Sequence, residues 1–356
     1  MEKNKENSSI KLIKANPNLR FKKFLISPKD FSSGFSDRFE VFTYTKDNNQ
    51  YIITPGVNTY LIYIIRISYN QIFKSLKGHD ECISVLNYYH NEKKLNEDYI
   101  LSVDIKGIVI IWDVNSNFNI KFKINTNEYV IYSSIIYFNI NNHFNYIITS
   151  NSYISEYEKS AYSKIYSLEN GKIIKNINHT NLNSTYYIIP WINESKNYFF
   201  EVECCLEKIS IINLINNELY HQFISNNEEE AFTCAFVFKQ KKNNNDYLCS
   251  ASMHGEIKIW DLENKILDKK IWTGGYNLLS MIPWYENYLI FADNNTNKGF
   301  KILDIEQMKI ISNIGGKHKK PIICIKKIVH NEYGRCIITN GINLFIYIFL
   351  FFKFCP

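Results

Sequence analysis

Seven apolar runs in this chain end at Arg66, Asp113, Ser167, Asn213, Asp261, Asp304 and Tyr347, positions spaced by 47, 54, 46, 48, 43 and 43 residues. Two of the runs are almost superimposable: GIVIIWDVNSN around Asp113 and GEIKIWDLENK around Asp261, each a turn glycine, a short strand, a Trp-Asp pair and a polar turn. A self-similar period of roughly 40–50 residues restricts the chain to repeat architectures, in which each unit buries its apolar faces against its neighbours.

The best-preserved unit divides into four strand-like segments, Cys82–Val85, Asp98–Val103, Ile108–Asp113 and Phe118–Ile124, separated by stretches rich in Asn, Asp, Gly and Lys. The fifth unit divides the same way, into Phe232–Phe238, Tyr247–Ser250, Glu256–Asp261 and Ile266–Ile271. With 26 Tyr and 24 Phe against only 13 Gly and 7 Pro, the composition favours pleated, half-buried strands over helix. Seven such units predict an all-β, seven-bladed β-propeller of four-stranded antiparallel blades. The last unit supplies only three strands, Pro321–Ile328, Cys336–Thr339 and Ile342–Tyr347, which would leave an open edge. The segment FKKFLIS, Phe21–Ser27, is expected to fill that place and close the ring, leaving the terminal FLFFKFCP surplus. Residues 1–20 are then a basic tail and 21–356 a single domain.

LKGHDECISVL followed by YILSVDIKGIVIIWDVN, and again YLCSASMHGEIKIWDLEN, resemble members of the WD-repeat family. That resemblance implies a structural relay in each unit: a His before the inner strand, a Ser on the second strand, an Asp in the next turn and a Trp on the third. His79, Ser102 and Trp112 match it in the second unit, with Lys106 at the turn position; Ser250 and Trp260 match in the fifth, with His254 there. On this alignment neither relay is complete, and the units are expected to rest on apolar packing and strand pairing, because a polar network is favourable only when fully satisfied. Trp112 and Trp260 are expected to be structural. The resemblance also implies a non-catalytic scaffold that presents loops and rim to proteins or peptides.

The charge supports a binding body that is not a nucleic-acid surface. Of the net +6, the segment through Lys29 carries all, with eight Lys/Arg and two Asp/Glu, while the rest balances at 33 against 33. A basic N-terminal arm keeps a membrane-surface or phosphoinositide-binding propeller open as an alternative, although no Phe-Arg-Arg-Gly motif is present. The longest apolar run, LFIYIFLFF, is too short for a membrane span, and the N-terminus has no signal-peptide core, so an intracellular, cytoplasmic protein with reduced cysteines is expected. Repeat position accounts for all eight histidines, no CxxC pair occurs, and phosphate loops, nucleophile elbows and HExxH are missing. No catalytic residue, cofactor or metal is therefore assigned. Pro190-Trp191 and Pro283-Trp284 are read as equivalent turns. Partner contacts are expected in loops at the end of the units that carries the relay, from Lys77, Asp80, Lys106, His254 and Lys317.

Overall fold

The structure, a computed structural model, describes residues 21–24 and most of 42–350; the segments 1–20, 25–41 and 351–356 and short stretches between strands lie outside the described residues. All regular structure among the described residues is β-strand, paired antiparallel. Six four-stranded sheets take consecutive strands, over 42–77, 83–125, 131–178, 185–224, 232–272 and 280–314, and are called sheets 1 to 6. In the remaining sheet, sheet 7, the order is Phe21–Phe24, Ile346–Leu350, Gly334–Gly341, Ile322–His330. Phe21 stands opposite Phe349 and Phe24 opposite Ile346, so the expected pairing of the N-terminal segment with the last unit's third strand is present.

The strand divisions read from the sequence recur closely. In sheet 2 the strands are Ile83–His90, Asp98–Asp104, Ile108–Asp113 and Asn119–Asn125; in sheet 5 the third strand is Glu256–Asp261. Sheet 7 departs from the expectation. Its third strand is Ile346–Leu350 rather than Ile342–Tyr347, and Leu350 faces Cys336 as Asp113 faces Tyr99. The repeat position is thus Leu350, 46 residues after Asp304 (350 − 304), and Phe349 and Leu350 are strand residues rather than surplus. An unbroken apolar run has no alternation to set its register, which is why the sequence placed it three residues early.

Among the described residues, sheets 2 to 6 each pack both of their faces against a neighbouring sheet. Six clusters of buried side chains each bridge one sheet and the next: Ile62 and Ile64 of sheet 1 join Ile100 and Trp112 of sheet 2, and the pattern continues through to Trp284 and Ile302 of sheet 6 against Ile325 and Ile337 of sheet 7. Central strands therefore read as continuous buried runs, as in Ile108–Asp113 and Glu256–Asp261, without the in-out alternation of a sheet solvated on one side. In sheets 1 to 6 the third and fourth strands share a register shift at one equivalent place, between Ile111 and Trp112 in sheet 2 and between Ile259 and Trp260 in sheet 5. Such bulges increase local twist, and twisted sheets can fan past one another.

The first strands are also tied across sheets by hydrogen bonds. Ser84 Oγ donates to the Ile131 carbonyl at 2.9 Å, Ser133 Oγ accepts the Ile188 amide at 2.9 Å, and Ser280 Oγ accepts the Ile325 amide at 2.9 Å. These strands, from sheets 2 to 7, line one common cavity of about 270 Å³.

Candidate functional site

The end of sheet 2 where the second and third strands turn is organised by four buried side chains. The Trp112 indole N–H donates to Ser102 Oγ at 2.8 Å, Ser102 Oγ meets His79 Nε2 at 2.7 Å, and His79 Nδ1 meets Asp104 Oδ2 at 2.9 Å. With Ser102 donating to Nε2, the imidazole carries its proton on Nδ1 and donates it to the carboxylate. The other oxygen, Asp104 Oδ1, accepts the amides of Lys106 at 3.0 Å and Ile108 at 2.9 Å. The relay is complete, which corrects the expectation that none survives. Its acid is Asp104, two residues before the aligned turn position, because residues i and i+2 of a strand share a face and Asp104 thereby points where Ser102 points. Lys106, the residue aligned with the acid, is exposed and ion-paired with Glu81.

Close packing locks the same corner. A Cβ on Gly78 would stand 2.7 Å from the Trp112 ring, so only glycine lets the loop before sheet 2 lie on the indole.

In sheet 5 the relay is shorter, as expected. Trp260 donates to Ser250 Oγ at 2.8 Å, and Ser252 Oγ, at the place of Asp104, accepts the Glu256 amide at 3.1 Å. Backbone geometry does more here. Gly255 has φ +84° and a Cβ would fall 1.9 Å from the Gly275 carbonyl, while the Gly255 carbonyl accepts both the amide and the hydroxyl of Thr273 at 2.9 Å. The Trp272 indole, 62% exposed, donates to the His254 carbonyl at 3.2 Å.

The aspartate of each Trp-Asp pair also has a local task. Asp113 Oδ1 accepts the amides of Asn115 and Ser116, and Asp261 Oδ1 those of Glu263 and Asn264, closing the turn into the fourth strand. Burial by itself would raise the Asp261 carboxyl, but hydrogen bonds from the Asn264 amide and side chain, the Glu263 amide and the Tyr247 hydroxyl together hold it below the usual carboxylate range.

Of the expected partner residues, Lys77, Asp80 and Lys106 come together at the relay end of sheet 2: Lys77 is exposed as the last residue of sheet 1's outer strand rather than in a loop, Asp80 is exposed on the loop that follows, and the Lys106–Glu81 pair ties that loop to the turn. His254 is exposed on the equivalent turn of sheet 5, and Lys317 lies outside the described residues, as does the basic arm apart from Phe21–Phe24. Glu81, Met253, Trp272 and Tyr276 are further exposed or half-exposed residues at these turns that sequence reading did not select.

Pro190-Trp191 and Pro283-Trp284 lie within the strands Thr185–Asn193 and Ser280–Tyr285, not in turns. Both indoles are buried, and Trp191 Nε1 donates across to Asp246 of sheet 5 at 2.9 Å, so they are packing residues.

Among the described residues no cluster of three His, Cys, Asp or Glu could hold a metal, and no helix is long and apolar enough to cross a membrane. Comparison with protein-family models and with curated proteins finds no match to this chain.

Proposed function

We propose that the chain is a seven-bladed β-propeller of the WD-repeat type that serves as a non-catalytic scaffold for protein or peptide partners. Four lines support the fold: the repeat spacing, the chain of face-to-face sheet contacts, the relay of sheet 2, and the cavity lined by the first strands of sheets 2 to 7. In this reading the ring closes through Phe21–Phe24, which makes the first and last segments of the chain share one blade. Fold alone does not assign function, so the functional reading rests on the loops.

The observation that carries it is the contrast at the relay end: His79, Ser102 and Asp104 are buried and mutually bonded, while Lys77, Asp80 and Lys106 project from the same short segments into solvent. A loop held in one conformation loses little entropy on binding, and charged groups on it can select a partner. The test is proximity labelling and cross-linking in cells, comparing wild type with K77E/D80K/K106E and with E169K/E263K, which lie on exposed turns at the opposite end of their sheets. Partners lost only in the relay-end variant support the scaffold reading. Retention of every partner there, with loss in the opposite-end variant, places binding on the wrong face.

A further inference from the structure

Sheets 4 and 5 part toward their outer strands. Between Leu219–Ile224 of sheet 4 and the strands Glu256–Asp261 and Ile266–Trp272 of sheet 5 lies a groove of about 310 Å³. Phe223 and Trp260, both buried, form its base, and Ile224 and Leu267 are exposed on its walls. Three lysines line it, Lys258, Lys265 and Lys270, against one carboxylate, Glu256. Lys258 is buried and sits 3.2 Å from Glu256, so that pair is internally balanced and Lys265 and Lys270 set the sign of the groove. Lys265 Nζ lies 4.0 Å from the centre of the Tyr220 ring, held at the lip by a cation–π contact. His221 feels the same field: burial, and then the Lys265 ammonium, keep its imidazole below the ordinary range, so it enters neutral pH as an uncharged hydrogen-bonding group.

The geometry points to this groove as a docking slot for an extended, acidic segment of a protein partner. The inference rests on the scaffold reading and adds the chemistry of what is bound. Two excess ammonium groups beside aromatic and aliphatic walls suit carboxylates carried on a chain with apolar neighbours. A slot walled by two sheet faces admits a single strand, whereas a flat bilayer surface would reach only its lip. In an extended chain alternate side chains share a face, so acidic residues spaced by two would all address the lysines.

The probe is a fluorescein-labelled nonapeptide of alternating Glu and Ser, titrated by fluorescence anisotropy against wild type, K265E/K270E and the control K172E/K175E, whose lysines lie just before and on the outer strand Ile173–Asn178 of sheet 3. Salt-sensitive binding should weaken about tenfold or more in K265E/K270E, with unchanged melting, and by less than about twofold in the control. Absence of binding to wild type, or equal loss in both double variants, overturns the inference. So does a K265E/K270E-dependent association with phosphatidylserine vesicles that the peptide does not share. If the peptide fails while cross-linked partners are still lost on relay-end charge reversal, the groove inference falls alone; if neither peptide nor partner binds, the scaffold reading falls with it.

Discussion

Replacing Ser102 by alanine, and separately Ser250, measures what the relay contributes beyond strand packing. Both serines are fully buried, occupy the same place in their sheets and accept an indole N–H at 2.8 Å. They differ in one respect: Ser102 also bonds His79 Nε2 at 2.7 Å. Ser102→Ala therefore strands two buried groups, the Trp112 N–H and an imidazole nitrogen, whereas Ser250→Ala strands only the Trp260 N–H. At roughly 1–3 kcal/mol for each buried group left without a partner, the expected losses are about 2–6 kcal/mol for Ser102→Ala and about 1–3 kcal/mol for Ser250→Ala. A chain of this length need not unfold in one step, so local reporters are preferable to a single melting curve. Native-state hydrogen exchange supplies them: the Lys106 and Ile108 amides bonded to Asp104, and the Glu256 amide bonded to Ser252. Since about 1.4 kcal/mol is a factor of ten, Ser102→Ala should speed exchange at Lys106 and Ile108 by about 30-fold or more, and Ser250→Ala should speed it at Glu256 by about fivefold at its lower bound. Adding His79→Ala to Ser102→Ala should cost less than the sum, because the two share one interaction. Equal effects for the two serines, or a larger one for Ser250, would refute the claim that His79 and Asp104 extend a working network.

Two further outcomes test other parts of the structure. Asp261 has its folded pKa held low, so its contribution is present above the unfolded carboxylate value, near about pH 4, and is lost as pH falls through the lower folded value; Asp261→Asn should flatten the acid limb of a melting-temperature profile, and an unchanged limb would show that the turn does not sense this charge. Deleting residues 1–29 removes Phe21–Phe24 and leaves Ile346–Leu350 with an unpaired edge, so thermal scattering should show a lower melting temperature and earlier aggregation, and a variant as stable as wild type would mean that this strand is dispensable.

The parts of the fold that were legible in sequence are those where a local signal has one structural meaning. Arg66, Asp113, Ser167, Asn213, Asp261 and Asp304 were aligned on apolar runs followed by polar turns, and each is the last residue of its strand. A second signal went unread: Tyr51, Tyr99, Tyr146, Tyr198, Tyr247 and Tyr288 stand directly opposite those six residues on the neighbouring strand. A tyrosine there can bury its ring while its hydroxyl reaches a polar partner at the strand end, as Tyr247 reaches Asn243 at 2.8 Å.

The same tyrosine position explains both the failure in sheet 7 and the error over the relay. Where the rung holds Cys336 instead, the apolar run INLFIYIFLFF offers nothing to choose one register over another, and only its partner Leu350 shows the place. Counting three residues on from the rung reaches Ser102 and Ser250 in sheets 2 and 5, and counting five reaches Asp104 and Ser252. These residues share a strand face, so the buried acid of the relay was available from strand alternation. Aligning on the turn led instead to Lys106, because a turn position can be served from either of its flanks while a strand position cannot. The relay is therefore better sought along the second strand, and by that rule the Thr149 hydroxyl of sheet 3, three residues after Tyr146 and fully buried, occupies the serine's place in a sheet whose third strand has Tyr166 where sheets 2 and 5 have Trp112 and Trp260. A tyrosine ring has no indole N–H to offer that hydroxyl, so sheet 3 lacks the serine–indole bond of sheets 2 and 5 although its strands, bulge and rung persist.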